Sequence, residues 1–303
     1  MLGRGTDNFP VSLSDYRSTA ALTYAEVTRS ATEHAGMGGM SISPEASVGQ
    51  NDVPAQRHAD ERSAAQRAVR LLPLVRQATE RLDHVVAGLD DDTIHRPSGL
   101  PGWSRAHVVT HLARNADGLV NLLTWARTGV EHPMYASNAD RDADIDEGAG
   151  RLAQVVIEDL RAASDRFMAA ATGLPELAWS APVTGRLPTP FPAANIPSMR
   201  LHEVWVHLVD LDAGFSFADV PDDHLEHLVA EAVTRHINRP DGERVRLTVE
   251  LPGDREREWD LVNGRDDPRH DVTGSAAAAV AWLTGRSDGD GLRGDVPALP
   301  AWG

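Results

Sequence analysis

Residues 102–116 read GWSRAHVVTHLARNA, and residues 200–211 read RLHEVWVHLVDL. Both stretches have the apolar spacing of a helix that buries one face. Glu203 and His207 are four residues apart, so a helix places their side chains on the same face. Together the two stretches predict a helical protein in which a histidine of the first helix meets the Glu203–His207 pair of the second.

The ligand set that this pattern favours is His111, Glu203 and His207. Two imidazoles and one carboxylate suit a divalent metal, zinc first, and leave one coordination position open for chemistry. The alternatives stay open on spacing alone. His107 lies four residues before His111, so these two could form a pair of their own, and a single histidine in a helix is more often a hydrogen-bonded core residue. Asp210 is a candidate to orient the imidazole of His207.

The composition excludes several kinds of chemistry. The 303 residues include no cysteine and no lysine, which removes protein thiol nucleophiles, disulfides, Schiff-base lysines and the lysine of a phosphate-binding loop. With 29 basic against 45 acidic residues, the net charge is -16, which disfavours nucleic acid and anionic membranes as partners. Neither a membrane-spanning run nor a signal peptide is recognisable. We expect a monomeric cytoplasmic protein that acts on small molecules.

The apolar periodicity predicts a disordered tail over residues 1–62 and an up-and-down four-helix bundle over residues 63–215. The segment before residue 63 is rich in small polar residues and has too few large apolar side chains to offset its ordering entropy. The four predicted helices are Ser63–Gly88, a helix capped by Ser104 that runs to Thr128 and ends at Gly129, Asp144–Thr172, and Pro197–Asp212.

A proline-rich connection and a small α+β domain complete the prediction. Residues 173–197 hold six prolines, and we expect this long connection to form a wall of the site. Residues 216–303 have the mixed pattern of an α+β domain. Its predicted elements are a solvated helix at 222–238 that carries His224 and His227, paired strands at 245–251 and 256–262, and a helix at 273–284.

The two quoted stretches resemble the metal-ligand motifs of the mycothiol-dependent maleylpyruvate isomerases, a family of DinB-like metal-binding bundles. The resemblance extends from about Arg67 to the C-terminus. It implies a fold that is mainly α, with a DinB-like four-helix bundle followed by a small α+β domain. It also implies that zinc is held by His111, Glu203 and His207, which selects His111 over His107.

The resemblance further implies an enzyme that uses zinc and mycothiol to convert maleylpyruvate to fumarylpyruvate by reversible thiolate addition. A metal-bound thiol is deprotonated, so the cofactor would supply the thiolate that a chain without cysteine lacks. An arginine of the C-terminal domain serves the active site in this family. Arg286 is our candidate for that catalytic role and Arg293 is the second. Arg114 and Asn115, about one turn from His111, are candidates to bind mycothiol.

Two other functions remain open at this level. A mycothiol S-transferase would use the same zinc-bound thiolate but would leave the thiol in its product, whereas an isomerase regenerates it. A non-catalytic metal-binding or regulatory protein would need no thiol-dependent activity. Fold and ligand set alone do not distinguish these functions.

Overall fold

The computed structural model describes residues 52–237, 239, 242–251, 253–261 and 270–300. Of the tail predicted to be disordered, residues 1–51 lie outside this range. Residues 52–62 belong to the first helix, which therefore begins earlier than the predicted Ser63.

The helices of the described chain are α1 (Asp52–Val86), α2 (Asp91–Ile94), α3 (Arg105–Thr128), α4 (Asn138–Ala149), α5 (Ala153–Thr172), α6 (Ile196–Asp210), α7 (Asp222–His236) and α8 (Ala276–Leu283). The strands are β1 (Pro182–Thr184), β2 (Pro190–Pro192), β3 (Val245–Leu251), β4 (Arg255–Asp260), β5 (His270–Ser275) and β6 (Leu292–Gly294). The mainly α class with a small α+β C-terminal part is confirmed.

Helices α1, α3, α5 and α6 form the bundle, and their apolar faces supply its core. The boundaries of α3 agree with the prediction because its ends carry strong local signals. The hydroxyl of Ser104 accepts a hydrogen bond from the backbone N–H of His107, and the histidine side chain returns a contact to the Ser104 backbone. Gly129 ends the helix in the left-handed conformation, with φ of 71°.

Side-chain contacts define the direction of the bundle helices. Ion pairs join Arg114 to Asp159 and Asp117 to Arg166. Because the later residue on α3 pairs with the later residue on α5, these two helices run in the same direction. Arg105, at the start of α3, donates to the backbone just after α6, which makes α3 and α6 antiparallel. The parallel α3–α5 pair departs from the alternating order of a strict up-and-down bundle.

The third predicted helix is two helices. α4 and α5 are separated at Gly150–Leu152, where Gly150 ends the first helix and Leu152 begins the second. The prediction of one helix failed because the apolar spacing continues across the break. α4 returns along α3, and its Gly148 lies so close to Thr110 that an added Cβ would meet the threonine Cγ2 at 2.5 Å. This return makes the parallel α3–α5 arrangement possible.

The connection at residues 173–197 is ordered but contains no long helix. It forms short 3-10 turns and a two-stranded antiparallel ribbon of β1 and β2. Arg186, between these strands, lies 3.4 Å from the side-chain oxygen of Asn138 at the start of α4. The connection thus reaches the end of α4 that faces the site described below.

The C-terminal part contains a four-stranded sheet in the order β4-β3-β5-β6, accompanied by α7 and α8. β3 pairs with β4 antiparallel, as predicted, and with β5 in parallel. The predicted helix at 273–284 was too long, because β5 ends at Ser275, which then caps α8 directly. A domain boundary at residue 215 stays a prediction. In the described residues, no helix is long and apolar enough to span a membrane.

Candidate metal centre

The structure brings His111 of α3 together with Glu203 and His207 of α6. Nε2 of His111 lies 3.0 Å from Oε2 of Glu203 and 3.0 Å from Nε2 of His207. The distance from His207 Nε2 to Glu203 Oε2 is 3.4 Å. One donor atom of each residue therefore lies at the corner of a small triangle. The triangle forms because the face of α3 that carries His111 packs against the face of α6 that carries Glu203 and His207.

This triangle fits a tetrahedral metal ion. Ligand atoms placed about 2.0–2.2 Å from zinc lie about 3.3–3.6 Å from one another in tetrahedral geometry, so two of the three distances above would lengthen by a few tenths of an ångström when the metal binds. Two nitrogens and one carboxylate oxygen are a donor set that zinc accepts. Three protein ligands leave the fourth position for a further ligand, as in catalytic rather than structural zinc sites.

The surroundings keep two of the three groups in forms that can bind a cation. Burial lowers the pKa of His111 to about 4, so its imidazole is neutral near pH 7. Burial alone would raise the pKa of Glu203, but hydrogen bonds with His111 and His207 outweigh it and hold the pKa well below its usual value. Burial also opposes the charging of His207, yet contacts with Asp210 and Glu203 raise its pKa overall.

A chain of contacts leads from His207 to the C-terminal part of the protein. Nδ1 of His207 lies 2.8 Å from Oδ2 of Asp210, the residue that the sequence suggested as its orienting partner. Arg286 then donates to both carboxylate oxygens of Asp210, from Nε at 3.0 Å and from Nη2 at 2.7 Å. Burial raises the pKa of Asp210, but the bonds from His207 and Arg286 lower it overall. Asp210 is therefore an ionised, buried link between His207, a candidate metal ligand, and Arg286.

The catalytic role predicted for Arg286 stays a prediction, and its contacts now define how the side chain could act. Its carboxylate-binding edge is already filled by Asp210, and its Nη1 donates to the carbonyl of Thr284. The second candidate, Arg293, lies on β6 and pairs with Glu250 on β3. In the part of the chain that the structure describes, Arg293 forms no hydrogen bond or ion pair with His111, Glu203 or His207.

Arg114 and Asn115, the predicted mycothiol-binding residues, have protein partners. Arg114 donates to Asp117 and, at 2.8 Å, to Asp159 of α5. The side-chain oxygen of Asn115 accepts from the buried guanidinium of Arg200 at 2.9 Å. These contacts tie α3 to α5 and α6, and the binding role of both residues stays a prediction.

The competing histidines lie outside the triangle. His107 contacts the hydroxyl of Ser104 at 2.7 Å through Nδ1, as part of the helix cap. His224 is fully buried and contacts Trp205 and Gln77, so the prediction that it lies on a solvated helix face is wrong. α7 buries this face against the bundle, a tertiary contact that the local pattern does not indicate.

Sequence reasoning missed three residues beside the metal ligands. Nη2 of Arg141, on α4, lies 3.0 Å from Nδ1 of His111. The Arg141 guanidinium also lies 5.8 Å from the ring centre of Tyr135, and Trp103 stands 5.7 Å from His111, centre to centre. One signal was available, because Arg141 is the only cation within the acidic segment Asn138–Ala149.

Comparisons with known proteins agree with this geometry. The sequence model described as "Mycothiol maleylpyruvate isomerase N-terminal domain" matches residues 75–212. The crystal structure of the mycothiol-dependent maleylpyruvate isomerase is 32% identical with a TM-score of 0.69, and the match covers 78% of this chain and 97% of that chain. A point mutant of that enzyme matches at 31% identity with the same coverage and TM-score.

Two curated relatives are uncharacterized proteins of Mycobacterium tuberculosis, from two strains. Each is 29% identical over 144 residues, which is 45% of this chain and 53% of the relative. The chain thus spans about half the length of these relatives. The structural matches cover nearly all of the isomerase chain at more than 30% identity, and on that ground this protein belongs to the mycothiol-dependent maleylpyruvate isomerase family.

Proposed function

We propose that this protein is a zinc- and mycothiol-dependent cis-trans isomerase that converts maleylpyruvate to fumarylpyruvate. The observation that carries the proposal is the triangle of His111, Glu203 and His207, whose donor atoms all lie within 4.8 Å of one another. Family membership supports the choice of mycothiol as the cofactor and of maleylpyruvate as the substrate. The absence of cysteine fits a thiol that comes from a cofactor.

When bound, zinc would hold the thiol of mycothiol as a thiolate, and this thiolate would supply the nucleophile for reversible addition to the cis double bond of the substrate. The protein's own residues would hold and orient these partners. His111 and His207 offer nitrogens, and Glu203 contributes a negative charge that offsets part of the metal's charge. Asp210 fixes the ring of His207, because a hydrogen bond at Nδ1 directs the lone pair of Nε2 to the metal.

The metal ligands stand in surroundings that favour an anionic substrate. Arg141 brings a positive charge to 3.0 Å from His111, and Trp103 provides an aromatic surface beside the same ring. Burial raises the pKa of Tyr135, and the negative charge of Glu203 adds to this effect, so its hydroxyl remains a hydrogen-bond donor at neutral pH. A cation and a neutral donor together can bind a carboxylate.

The test is turnover of maleylpyruvate by the zinc-loaded protein with and without mycothiol. We expect trans product only when mycothiol is present, and loss of turnover in His111→Ala, Glu203→Ala and His207→Ala. The matched control is His84→Ala, which removes an exposed imidazole from α1. Turnover without thiol, or in all three ligand variants, would contradict the proposal.

The fate of the thiol separates the isomerase from the S-transferase. An isomerase regenerates free mycothiol after each turnover, so its concentration stays constant while product accumulates. If mycothiol were instead consumed in a one-to-one ratio with the electrophile, the S-transferase would replace the isomerase as the assigned function.

A further inference from the structure

The guanidinium of Arg141 is nearly buried but has an incomplete set of partners. The side chain is only 10% exposed, yet its Nε has no hydrogen-bond partner among the described residues. A buried N–H without an acceptor is destabilising, and such groups are rare in native proteins. An orphaned donor beside a candidate catalytic site indicates that an acceptor is supplied from outside the chain.

Three other arginines near the candidate metal ligands are held by partners within the chain. Arg286 has both oxygens of Asp210 on its Nε–Nη2 edge. Nε of Arg114 also has no partner among the described residues, but the charge of Arg114 is paired with both Asp117 and Asp159. Arg200 is fully buried and donates to neutral oxygens of α3 and α5, out of reach of a ligand.

The charge of Arg141 is poorly neutralised by comparison. Its recorded carboxylate partner is Asp142, the next residue, bonded through Nη1 at 2.6 Å. Asp142 is 65% exposed, and an ion pair with such a solvated group contributes little free energy. The Nη1 contact leaves the other edge of the guanidinium, Nε with Nη2, for a second acceptor. This is the same edge that Arg286 uses to hold Asp210.

The Nη2 end of that edge is directed at the metal ligands. Nη2 contacts Nδ1 of His111, and a guanidinium only donates, so this ring nitrogen accepts. A neutral ring that binds a metal through Nε2 carries its proton on Nδ1 and cannot accept there. His111 therefore cannot bind a metal through Nε2 and accept the Arg141 hydrogen bond at the same time. When the metal is bound, both Nη2 and Nε of Arg141 are available to a ligand.

We propose that Arg141, with Tyr135 beside it, binds one carboxylate of a short dicarboxylate substrate through its Nε–Nη2 edge, next to the open position of the metal. Bidentate binding of a carboxylate is the interaction for which a guanidinium is best suited. Arg286 then has a different task, since it positions His207 through Asp210. The choice of a dicarboxylate rests on the proposed function, but the carboxylate-binding role of Arg141 can be measured without turnover.

The experiment is calorimetric titration of the zinc-loaded protein with maleate, the dianion, and with maleamate, in which one carboxylate is an amide. We expect wild type to bind maleate more tightly than maleamate. Arg141→Gln should weaken maleate binding by about 10- to 100-fold, the effect of losing a charged hydrogen-bond pair. Arg141→Lys keeps the positive charge but cannot donate two parallel hydrogen bonds to a carboxylate, so it should weaken maleate binding by a smaller factor.

Arg151→Gln is the matched control, because it removes a more exposed arginine just after α4 whose partner is Glu147. Zinc content and circular dichroism of each variant show whether the fold and the metal are retained. If Arg141→Gln does not fold, Arg141→Lys carries the test.

Wild-type maleate affinity in a folded Arg141 variant, or no binding of maleate by wild type, would overturn the inference. Arg141-dependent maleate binding by a protein that does not isomerise maleylpyruvate would uphold this inference while the proposed function fails.

Discussion

Replacement of Asp210 by Asn should weaken zinc binding although Asp210 is not a ligand. The carboxylate is 3% exposed, accepts the Nδ1–H of His207 at 2.8 Å and receives two bonds from Arg286. Asparagine keeps the shape of the side chain but loses the charge that makes the imidazole a better donor to a cation. Loss of such a partner typically lowers metal affinity about 10- to 100-fold.

The assay is competition for zinc between the protein and a chromophoric chelator at fixed pH. We expect Asp210→Asn to lose about 1.4–2.7 kcal/mol of zinc-binding free energy, the equivalent of that affinity range. Arg286→Gln should lose less, because His207 keeps its hydrogen bond. Arg293→Gln, which removes an exposed ion pair with Glu250, is the matched control and should bind zinc like wild type.

The double variant Asp210→Asn, Arg286→Gln tests whether Arg286 acts through Asp210. If it does, the double variant should bind zinc about as well as Asp210→Asn alone, because effects within one hydrogen-bonded chain are not additive. Additive losses would refute this reasoning, as would wild-type zinc affinity in both single variants.

Three further predictions follow from the same structure. In protein stripped of metal, the pKa of His111 is lowered from 6.5 to about 4, so the unfolded chain takes up a proton at a higher pH than the folded chain. The free energy of unfolding should therefore fall by up to about 3 kcal/mol as the pH drops from 6.5 to 4. Urea titrations should show a smaller fall in His111→Asn, with His84→Asn as the control. Gly148→Ala should lower the Tm and the free energy of unfolding, the latter by about 1–3 kcal/mol, because the added Cβ would lie 2.5 Å from Thr110. Gly150→Ala is the control and should keep the wild-type Tm, because its Cβ would lie at an ordinary 3.5 Å from the nearest backbone oxygen. Equal Tm values for the two variants would contradict the packing argument. Deletion of residues 1–51, which have few large apolar side chains, should leave the Tm and the zinc content unchanged, and a markedly lower Tm would show that this segment stabilises the protein.

The parts of the fold that the sequence predicted well are those with local signals. α3 has a capping serine at one end and a left-handed glycine at the other, and both boundaries agree with the prediction. The candidate metal ligands Glu203 and His207 could be predicted because they lie on one helix at a fixed spacing. The choice of His111 over His107 came from the resemblance and stays a prediction, while His107 contacts Ser104 in the helix cap.

The parts that the sequence did not predict depend on tertiary contacts. The break between α4 and α5 carries apolar residues on both sides, so periodicity alone did not reveal it. β5 runs directly into α8 and pairs with a strand about twenty residues earlier in the chain, a contact without a local pattern. The position of Arg141 depends on the return of α4 along α3, which only the folded chain defines.

The most direct test of the metal centre is anomalous X-ray diffraction at the zinc absorption edge from crystals of the full chain grown with zinc. One strong anomalous peak is expected between Nε2 of His111, Oε2 of Glu203 and Nε2 of His207, about 2.0–2.2 Å from each atom, and it should vanish in His207→Ala. A peak elsewhere in the protein, or none at this triangle, would contradict the account.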